Sequence, residues 1–445
     1  MNEVIEKLKK NKDKIQIVFL ICLFFYYVIW VVAQPYNTCP DEGMKWDICK
    51  YMFENNKIPK GDDPAIRNPM WGISYAFQPI LTYMVSTIFM KIMSIFSSEQ
   101  FALVVAARLV STISVTLTIF FVIKISKKLF NGIYKYIFIA FIAFQPITAF
   151  LASYINNDST ALLATAMIIY TWILGMESNW KIKHCIILGL EVGFCALTYY
   201  NAYSYILCSI LICITSAIVN KMKFKEIMQK GVIVAIIAFS IAGWWFIRNA
   251  VIYNGDFLGL ETQVQIGDKY AQDEYKPSTR LTPQRKNESI MYMLVKDEWI
   301  KTTLKSFVGI FGYQSIMMSN KIYTTYLFIW IIGGIGVLLK SKEMFKYDSK
   351  EKNKYLLNYI FIVSIIIPIL LSIYYSYASD FQPQGRYIMI IIIPFTYFLV
   401  NGIQKILEKT IKSSKIRNLI VILLILLIVA ISARALFGYI IPIYR

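Results

Sequence analysis

Long apolar runs separated by short basic segments dominate the pattern along the chain. About eleven of them are predicted to cross a membrane, because roughly 20 residues of helix span the hydrocarbon core of a bilayer. They lie near residues 15–33, 101–123, 134–152, 159–175, 184–200, 203–219, 231–247, 321–339, 355–375, 387–403 and 418–436. The pattern predicts an all-α polytopic membrane protein with a single domain over residues 1–445.

The lysine-rich segments decide which apolar runs cross. They are residues 7–14, 124–135, 181–184, 221–230, 340–354 and 405–417. The positive-inside rule places all of them in the cytoplasm, which requires an even number of crossings between each pair. Three apolar runs precede Lys124, so one of them must not cross. The run 76–96 contains Gln78, Pro79 and Lys91, and we expect it to lie in the interface or to re-enter from outside.

This assignment gives the chain two long external loops. Loop 34–100 is predicted to carry juxtamembrane helices, and loop 253–320 could be a lid over a cavity or a disordered connector. The first apolar run has no small-residue cleavage site, so we interpret it as a retained span with a cytoplasmic N-terminus. We expect a multi-pass protein of the cell (plasma) membrane whose chemistry lies on the extracytoplasmic face.

Composition and charge exclude several classes of function. The net charge of +19 could suggest nucleic acid, but the lysines stand in short loops between apolar runs, as membrane lipid requires, so we expect no nucleic-acid partner. His184 is the only histidine, which excludes a histidine-rich zinc site, a histidine-based triad and a haem. Cys39 and Cys49 share one loop and could pair.

Carboxylates follow two of the predicted spans on the outer face. Asp41 and Glu42 come shortly after the first span; they could form a solvated acidic loop, or one of them could accept a proton from an attacking hydroxyl group. Asn157 and Asp158 form a short external turn. Asp158 could cap the next helix, or it could act as a second carboxylate facing Asp41.

Cationic residues stand at two external span ends, where they could bind phosphate or belong to an interfacial belt. They are Arg248, followed by Asn249, and Arg386, which Gln384 and Gly385 precede and Tyr387 follows. Two further charges, Arg108 and Glu191, are predicted inside spans. A charged side chain inside a membrane raises the free energy of the folded protein, so these two residues are functional candidates, with a structural ion pair as the alternative.

The order of these motifs resembles the GT-C superfamily of membrane glycosyltransferases, which includes protein O-mannosyltransferases and the lipid A aminoarabinose transferase. The matching segments, in order, are Pro40-Asp41-Glu42, Gln78-Pro79, Arg108-Leu109-Val110-Ser111, Lys127-Lys128, Pro146, Asn157-Asp158, Trp244-Trp245-Phe246-Ile247-Arg248-Asn249, Phe311-Gly312 and Gln384-Gly385-Arg386-Tyr387. The resemblance covers nearly the whole chain. The later segments look closest to a poorly characterised bacterial branch.

The resemblance implies a GT-C fold and an inverting transfer of a sugar from a polyprenyl-phosphate donor to a glycan, lipid or protein acceptor of the envelope. It implies Asp41 as catalytic base, with Glu42 beside it, and Asp158 as the second acidic residue. It implies that Arg386, Arg248 and Lys45 hold the leaving phosphate; Lys45 stands where close relatives often have a histidine. The expected substrate contacts are Asn157, Gln384, Tyr387 and Asn249. A divalent metal could be a cofactor, since some members of the superfamily need one.

Three other functions fit the same features. A transporter or flippase of a lipid-linked saccharide would share the cavity and the arginines without needing Asp41. Inverted repeats would favour it, and the sequence shows none. A polysaccharide polymerase or ligase would use diphosphate-linked donors. A membrane-embedded scaffold with degenerate catalytic residues would have no reason to retain both Asp41 and Asp158.

Overall fold

The computed structural model describes residues 12–445, and helices make up nearly all of their regular structure. The α-helices are α1 (Lys12–Ala33), α2 (Glu42–Asn55), α3 (Leu81–Met93), α4 (Gln100–Leu129), α5 (Tyr134–Ala143), α6 (Pro146–Leu151), α7 (Asp158–Glu177), α8 (Ile182–Ala196), α9 (Tyr203–Val219), α10 (Phe224–Ile252), α11 (Leu260–Tyr270), α12 (Ile290–Val295), α13 (Trp299–Gly309), α14 (Asn320–Phe345), α15 (Lys352–Ala378), α16 (Ile392–Thr410), α17 (Ser414–Ala435) and α18 (Ile441–Tyr444). Short 3-10 turns lie at Pro64–Ile66, Tyr75–Phe77, Tyr200–Ala202, Asp273–Tyr275 and Gly385–Ile391, and a π-helical turn at Leu436–Ile440. The strands of this part of the chain are β1 (Ile310–Phe311) and β2 (Ile316–Met317), which pair antiparallel.

Nine helices of the described residues are long and apolar enough to cross a membrane. With the turns that extend them, they are Lys14–Ala33, Gln100–Leu129, Asp158–Glu177, Tyr200–Val219, Phe224–Ile252, Asn320–Phe345, Lys352–Ala378, Gly385–Thr410 and Ser414–Tyr444. Large apolar side chains cover their outer surfaces; Ile236 and Phe239 of α10, for example, are each 63% exposed. Such surfaces are stable against lipid rather than water. The predicted all-α membrane class is confirmed.

Two of the expected spans are shorter than a bilayer crossing, so the count of eleven is not confirmed. The expected span 134–152 breaks into α5 and α6. Gln145, which precedes Pro146, adopts an extended conformation with φ −65° and ψ 128°, as the proline ring favours for its neighbour. In place of the expected span 184–200, the structure has the 15-residue helix α8, which a non-helical stretch and a 3-10 turn follow.

The run 76–96 forms the short helix α3, whose 13 residues extend about 20 Å at 1.5 Å per residue. That length is less than a hydrocarbon core. Ser86 of α3 donates a hydrogen bond to the carbonyl of Ala107 in α4, and Thr87 donates to the carbonyl of Cys49 in α2. A hydrophobic cluster that includes Trp46, Tyr83 and Trp245 packs this part of loop 34–100 against the ends of the long helices.

The basic segments of the described chain lie together at one end of the helix bundle. Polar contacts join them and their neighbouring turns: Lys128 to Glu177, Lys230 to Asn179, Lys352 to Asn220, and Lys405 to Glu343. Glu177 ends α7 and Asp158 begins it, so the Asp158 end of the bundle is the opposite one, about 30 Å away along the helix. Residues 7–11 of the first basic segment lie outside the described residues.

Loop 253–320 is largely built from helices α11 to α13 and the β1–β2 hairpin, and it packs on loop 34–100. The Gln272 amide donates to the carbonyl of Met70 at 3.1 Å. The Arg67 guanidinium lies 3.7 Å from the ring centroid of Tyr270. Tyr313, in the hairpin turn, donates through its hydroxyl to Asn37 Oδ1 at 2.7 Å. The two long loops therefore form one layer at the Asp158 end of the bundle.

Candidate functional site

Residues from the first and last parts of the chain meet at Asp41. This residue precedes α2 with φ 61° and ψ 9°, a left-handed conformation that aspartate tolerates better than most residues. Its Oδ2 accepts a hydrogen bond of 2.7 Å from Arg386 Nη2, across a sequence separation of 345 residues. The Arg386 side chain is 6% exposed and the Asp41 side chain 27%. The pair therefore stands at the edge of a buried site with access from outside.

Gly385 sets the position of Arg386. A Cβ added at Gly385 would lie 2.1 Å from the Phe307 amide nitrogen and 2.4 Å from its Cα, so only glycine fits against α13 here. The carbonyl of Phe307 in turn accepts a hydrogen bond from Gln145. The close approach of these two backbones brings the Arg386 guanidinium within reach of α2.

Lys45 adds a second cation one helical turn after Asp41. Its Nζ lies 3.9 Å from Asp41 Oδ2, and its side chain is 4% exposed. The same nitrogen lies 5.7 Å from the ring centroids of Tyr75 and of Tyr154. Asp158, only 6% exposed at the start of α7, is close enough for its charge to act on Lys45. Two carboxylates and two cations thus share the site.

This arrangement determines the pKa values of Asp41 and Lys45, which both lie outside the membrane-spanning helices. Burial alone would raise the pKa of Asp41, but the charges of Arg386 and Lys45 and the hydrogen bond from Arg386 outweigh it, so the pKa lies below its ordinary value. Burial lowers the pKa of Lys45 by more than the attraction of Asp41 raises it. Asp41 is therefore an ionised carboxylate at neutral pH.

Among the buried polar atoms without a hydrogen-bond partner within residues 12–445, four belong to Arg386 or to residues close in the chain to Arg386 or Asp158. They are Arg386 Nε, the Tyr154 hydroxyl, Asn157 Nδ2 and Gln384 Oε1. Buried donors and acceptors are almost always paired in native proteins. Three of these four groups can donate, and two cations stand beside them, so the site is suited to an anionic ligand.

Glu42 lies in a different environment from Asp41. Both of its carboxylate oxygens accept hydrogen bonds of 2.8 Å from Arg108, through Nε and Nη2. They also accept from the amides of Asn37 at 3.1 Å and Ile155 at 3.2 Å. Every lone-pair position of this carboxylate is in use, so Glu42 cannot take a proton from a substrate in this arrangement.

Arg108 is equally occupied. Beyond its two bonds to Glu42, it donates to the carbonyls of Val31 at 2.9 Å, Gln34 at 2.7 Å and Pro35 at 2.9 Å. A guanidinium has five N–H donors, and all five are used. Of the two alternatives for Arg108, the structure shows the structural ion pair, which fixes the end of α1 and the start of α2.

The other charged and polar candidates lie around this group. Arg248 donates to the carbonyl of Pro59 at 2.7 Å and to Asn249 Oδ1 at 3.1 Å, so within the described chain it bonds to loop 34–100 rather than to Asp41. Asn249 is fully buried. The Tyr387 hydroxyl accepts from Arg386 Nη2 at 3.0 Å, which places Tyr387 beside Asp41.

Three further groups from the sequence lie in structural positions. Glu191 accepts a hydrogen bond of 2.9 Å from Thr171 between α8 and α7. Cys39 and Cys49 are free buried thiols. Cys39 bonds to Gln34 and Cys49 to the carbonyl of Tyr83, so their different partners keep them apart.

Tyr75 and Tyr154 are site residues that sequence reasoning missed. Both rings flank Lys45, yet a tyrosine near a membrane interface is common and nothing in its local pattern separates a site residue from the aromatic belt. The sequence offers one signal for these tyrosines: each lies three residues before a motif residue. Tyr154 precedes Asn157, and Tyr75 precedes Gln78.

An apolar groove of about 570 Å³ lies between α8, α9 and α10. Its wall consists of hydrocarbon and sulfur side chains such as Leu188, Val192 and Cys213, with Lys230 as the one charged residue. This groove has no carboxylate in its wall and lies toward the basic end of the bundle, away from Asp41 and Asp158.

Solved structures identify the fold. The Archaeoglobus fulgidus oligosaccharyltransferase AglB, solved with an inhibitory peptide and a dolichol-phosphate, aligns with a TM-score of 0.56 and 13% identity over 96% of this chain and 56% of its own. An Archaeoglobus fulgidus oligosaccharyltransferase solved with Zn and sulfate aligns with a TM-score of 0.57 and 14% identity over 94% of this chain and 52% of its own. ArnT from Cupriavidus metallidurans in the apo state aligns with a TM-score of 0.42 and 13% identity, over 88% and 77%. The oligosaccharyltransferase alignments, with TM-scores above 0.5, show that this chain has the same fold, the GT-C fold, and the chain spans about half the length of that enzyme.

The sequence itself assigns the family. A family model described as "Predicted membrane protein (DUF2142)" matches residues 67–396. Because this match covers about three-quarters of the chain, the protein belongs to the DUF2142 family. No curated protein matches the chain in sequence.

Proposed function

We propose that this protein is an inverting glycosyltransferase that moves a sugar from a polyprenyl-phosphate donor to a glycan, lipid or protein acceptor of the cell envelope. The observation that carries the proposal is the contact between Asp41 and Arg386. An ionised carboxylate accepts a hydrogen bond from a buried guanidinium whose Nε has no hydrogen-bond partner within the described residues. A transferase of this kind needs a base next to a phosphate-binding group. The dolichol-phosphate in the AglB structure supports a lipid-phosphate ligand for the same fold.

The donor phosphate would lie in the pocket of unpartnered groups. Arg386 Nε, the Tyr154 hydroxyl and Asn157 Nδ2 would donate to its oxygens, and Lys45 would add a positive charge. These interactions strengthen as negative charge grows on the leaving phosphate in the transition state, so they accelerate the reaction rather than only bind the donor.

Asp41 would act as the base in a single displacement. The acceptor hydroxyl gives its proton to the Asp41 carboxylate as its oxygen forms a bond to the anomeric carbon. The bond between that carbon and the phosphate oxygen breaks at the same time, and the phosphate leaves with the electron pair. Because the phosphate competes with Asp41 for Arg386, donor binding would free the carboxylate for this role. Attack from the side opposite the phosphate inverts the anomeric centre.

The remaining candidates support these two groups. Asp158 would orient a sugar or acceptor hydroxyl, and Tyr387 and Gln384 would contact the substrate beside Arg386. Glu42 and Arg108 would hold Asp41 in place. Arg248 and Asn249 would position loop 34–100, and loop 253–320 would cover the donor. The positive-inside rule then assigns the basic end of the bundle to the cytoplasm and the site to the extracytoplasmic face of the plasma membrane.

The test compares sugar transfer by wild type and by Asp41→Asn in membranes supplied with radiolabelled polyprenyl-phosphate sugars. Asparagine tolerates the left-handed backbone of this position and keeps an oxygen for Arg386. We expect transfer to fall about 10²- to 10⁴-fold, the usual contribution of a general base. Asp47→Asn, on the same helix α2 but outside the site, is the matched control and should transfer normally.

Three results would contradict the proposal. Unchanged transfer by Asp41→Asn would exclude this carboxylate as the base. Transfer only from diphosphate-linked donors would favour a polysaccharide polymerase or ligase. Movement of a lipid-linked sugar across the membrane without transfer from any donor would favour a flippase.

A further inference from the structure

The acidic residues of the site raise the question of a metal ion. Asp41 and Asp158 are close enough for their charges to interact, and oxygen ligands of this kind bind divalent cations. Residues 12–445 contain no group of three or more histidine, cysteine, aspartate or glutamate side chains that could hold a metal ion. A metal ion at this site would therefore find at most two carboxylate ligands, and both stand beside buried cations.

Those cations already contact Asp41, one of the two carboxylates. Arg386 Nη2 lies 2.7 Å and Lys45 Nζ 3.9 Å from the same oxygen, Asp41 Oδ2. The two basic side chains are only 6% and 4% exposed, so both positive charges lie inside the site rather than in water. A divalent ion bound to Asp41 would stand beside two fixed positive charges, and the repulsion between like charges opposes its binding.

We infer that Lys45 is a built-in cation which takes the place of a divalent metal ion in this site, so that the donor phosphate is bound and transferred without one. This inference rests on the proposed function for its role in transfer. An ammonium is a compact charge with three donors. At 3.9 Å, Asp41 is an ion-pair partner of the ammonium rather than a hydrogen-bond partner, so its donors are available for phosphate oxygens, whose charge a divalent metal ion would otherwise neutralise.

A second lysine on the same helix, Lys50, shows that burial of the ion pair distinguishes Lys45. Lys50 pairs with Glu54 at the same distance of 3.9 Å and with the same four-residue spacing, but its side chains are 54% and 55% exposed. Such surface pairs contribute little. Burying an ammonium is unfavourable unless it is paired, and Lys45 is buried between two tyrosine rings with carboxylates as its partners.

The experiment uses the purified full-length protein and two probes. Electron paramagnetic resonance counts Mn²⁺ bound at millimolar concentration, and thermal unfolding with undecaprenyl phosphate in excess EDTA reports binding of the lipid phosphate. We expect the wild type to bind no Mn²⁺ at the site and to be stabilised by undecaprenyl phosphate in EDTA. Lys45→Met should lose that stabilisation, Lys45→Arg should keep part of it because the charge remains, and Lys50→Met should behave as the wild type.

Transfer assays extend the test. EDTA should change wild-type transfer by less than about twofold, whereas Lys45→Met should lower it about 10²-fold, as for other groups that stabilise transition-state charge. Stoichiometric Mn²⁺ binding to the wild type that Asp41→Asn abolishes would overturn the inference, as would transfer that EDTA removes and Mg²⁺ restores. Because Mn²⁺ binding needs neither donor nor acceptor, its result is independent of whether transfer is observed.

Discussion

Arg108→Met removes a guanidinium that holds together the end of α1, the start of α2 and the α4 backbone on which it stands. Its five hydrogen bonds go to Glu42, twice, and to the carbonyls of Val31, Gln34 and Pro35. Methionine replaces the aliphatic part of the arginine side chain and carries no charge, so it deletes every one of these bonds. Glu42, with none of its surface exposed, is left as an uncompensated buried carboxylate.

Removing one partner of a buried ion pair destabilises a protein by about 3–5 kcal/mol, because the other charge stays buried. At about 2 °C per kcal/mol, the unfolding temperature should fall by about 6–10 °C. Replacing both partners, as in Arg108→Met with Glu42→Leu, is expected to restore part of this loss, since no unpaired charge remains. Arg434→Met changes an exposed arginine and should stay within about 0.5 kcal/mol of the wild type.

Free thiols provide the assay. Five of the seven cysteines, namely Cys39, Cys49, Cys185, Cys195 and Cys208, are buried and free, so a thiol-reactive dye reports their exposure as the purified protein unfolds in detergent. An Arg108→Met protein with wild-type unfolding temperature and no sugar transfer would refute the structural assignment and make Arg108 a functional residue. A double variant less stable than both single variants would refute the reasoning about the unpaired charge.

Two further predictions concern the Asp41–Arg386 pair. Gly385→Ala pushes a methyl group into the Phe307 backbone, so it should destabilise the protein by about 1–3 kcal/mol. By moving Arg386 about 1 Å, it should also lower sugar transfer about 10²-fold. Gly334→Ala, whose Cβ meets nothing within 4 Å, is the control, and equal stability and transfer of the two variants would contradict the prediction. Because the pKa of Asp41 is lower in the folded protein than in the unfolded chain, the pair should stabilise the fold above about pH 3.9 and lose this effect as the pH falls through the lowered value. The difference in unfolding temperature between wild type and Asp41→Asn, measured from pH 7 to pH 3, should therefore shrink as the pH falls below about 3.9; a constant difference would exclude the titration of Asp41 as its source.

Much of the architecture could be predicted from hydrophobic pattern and charge. Run length identified a polytopic all-α protein, and the lysine segments singled out the run that became the short helix α3. The break at Pro146 was missed, because the proline stands among apolar residues and its effect depends on α13, whose Phe307 carbonyl holds the preceding Gln145. Membrane proteins tolerate such breaks where neighbouring helices supply the missing hydrogen bonds.

The site was predicted less completely, since adjacent residues on a helix point in different directions. Asp41 and Glu42 carry the same charge one position apart, and the sequence treats them alike. Their environments differ because Arg108, 66 residues later, takes the second carboxylate, and Arg386 takes the first. Neither pairing leaves a local signal. For the same reason Lys45 could be recognised as a candidate, but not as a residue shielded from solvent between two rings.

The distance along the chain between Asp41 and Arg386 has a consequence for biogenesis. At a synthesis rate of about 5–20 residues per second, the 345 residues that separate them take roughly 20–70 seconds to translate. During that interval α1, α2 and the first long helices have left the ribosome while the arginine partner of Asp41 does not yet exist. A chain truncated before the last third can insert its early helices, but it cannot assemble the ion pair. Activity that depends on this pair would therefore appear only after synthesis has passed Arg386, and each product truncated before that residue would lack it.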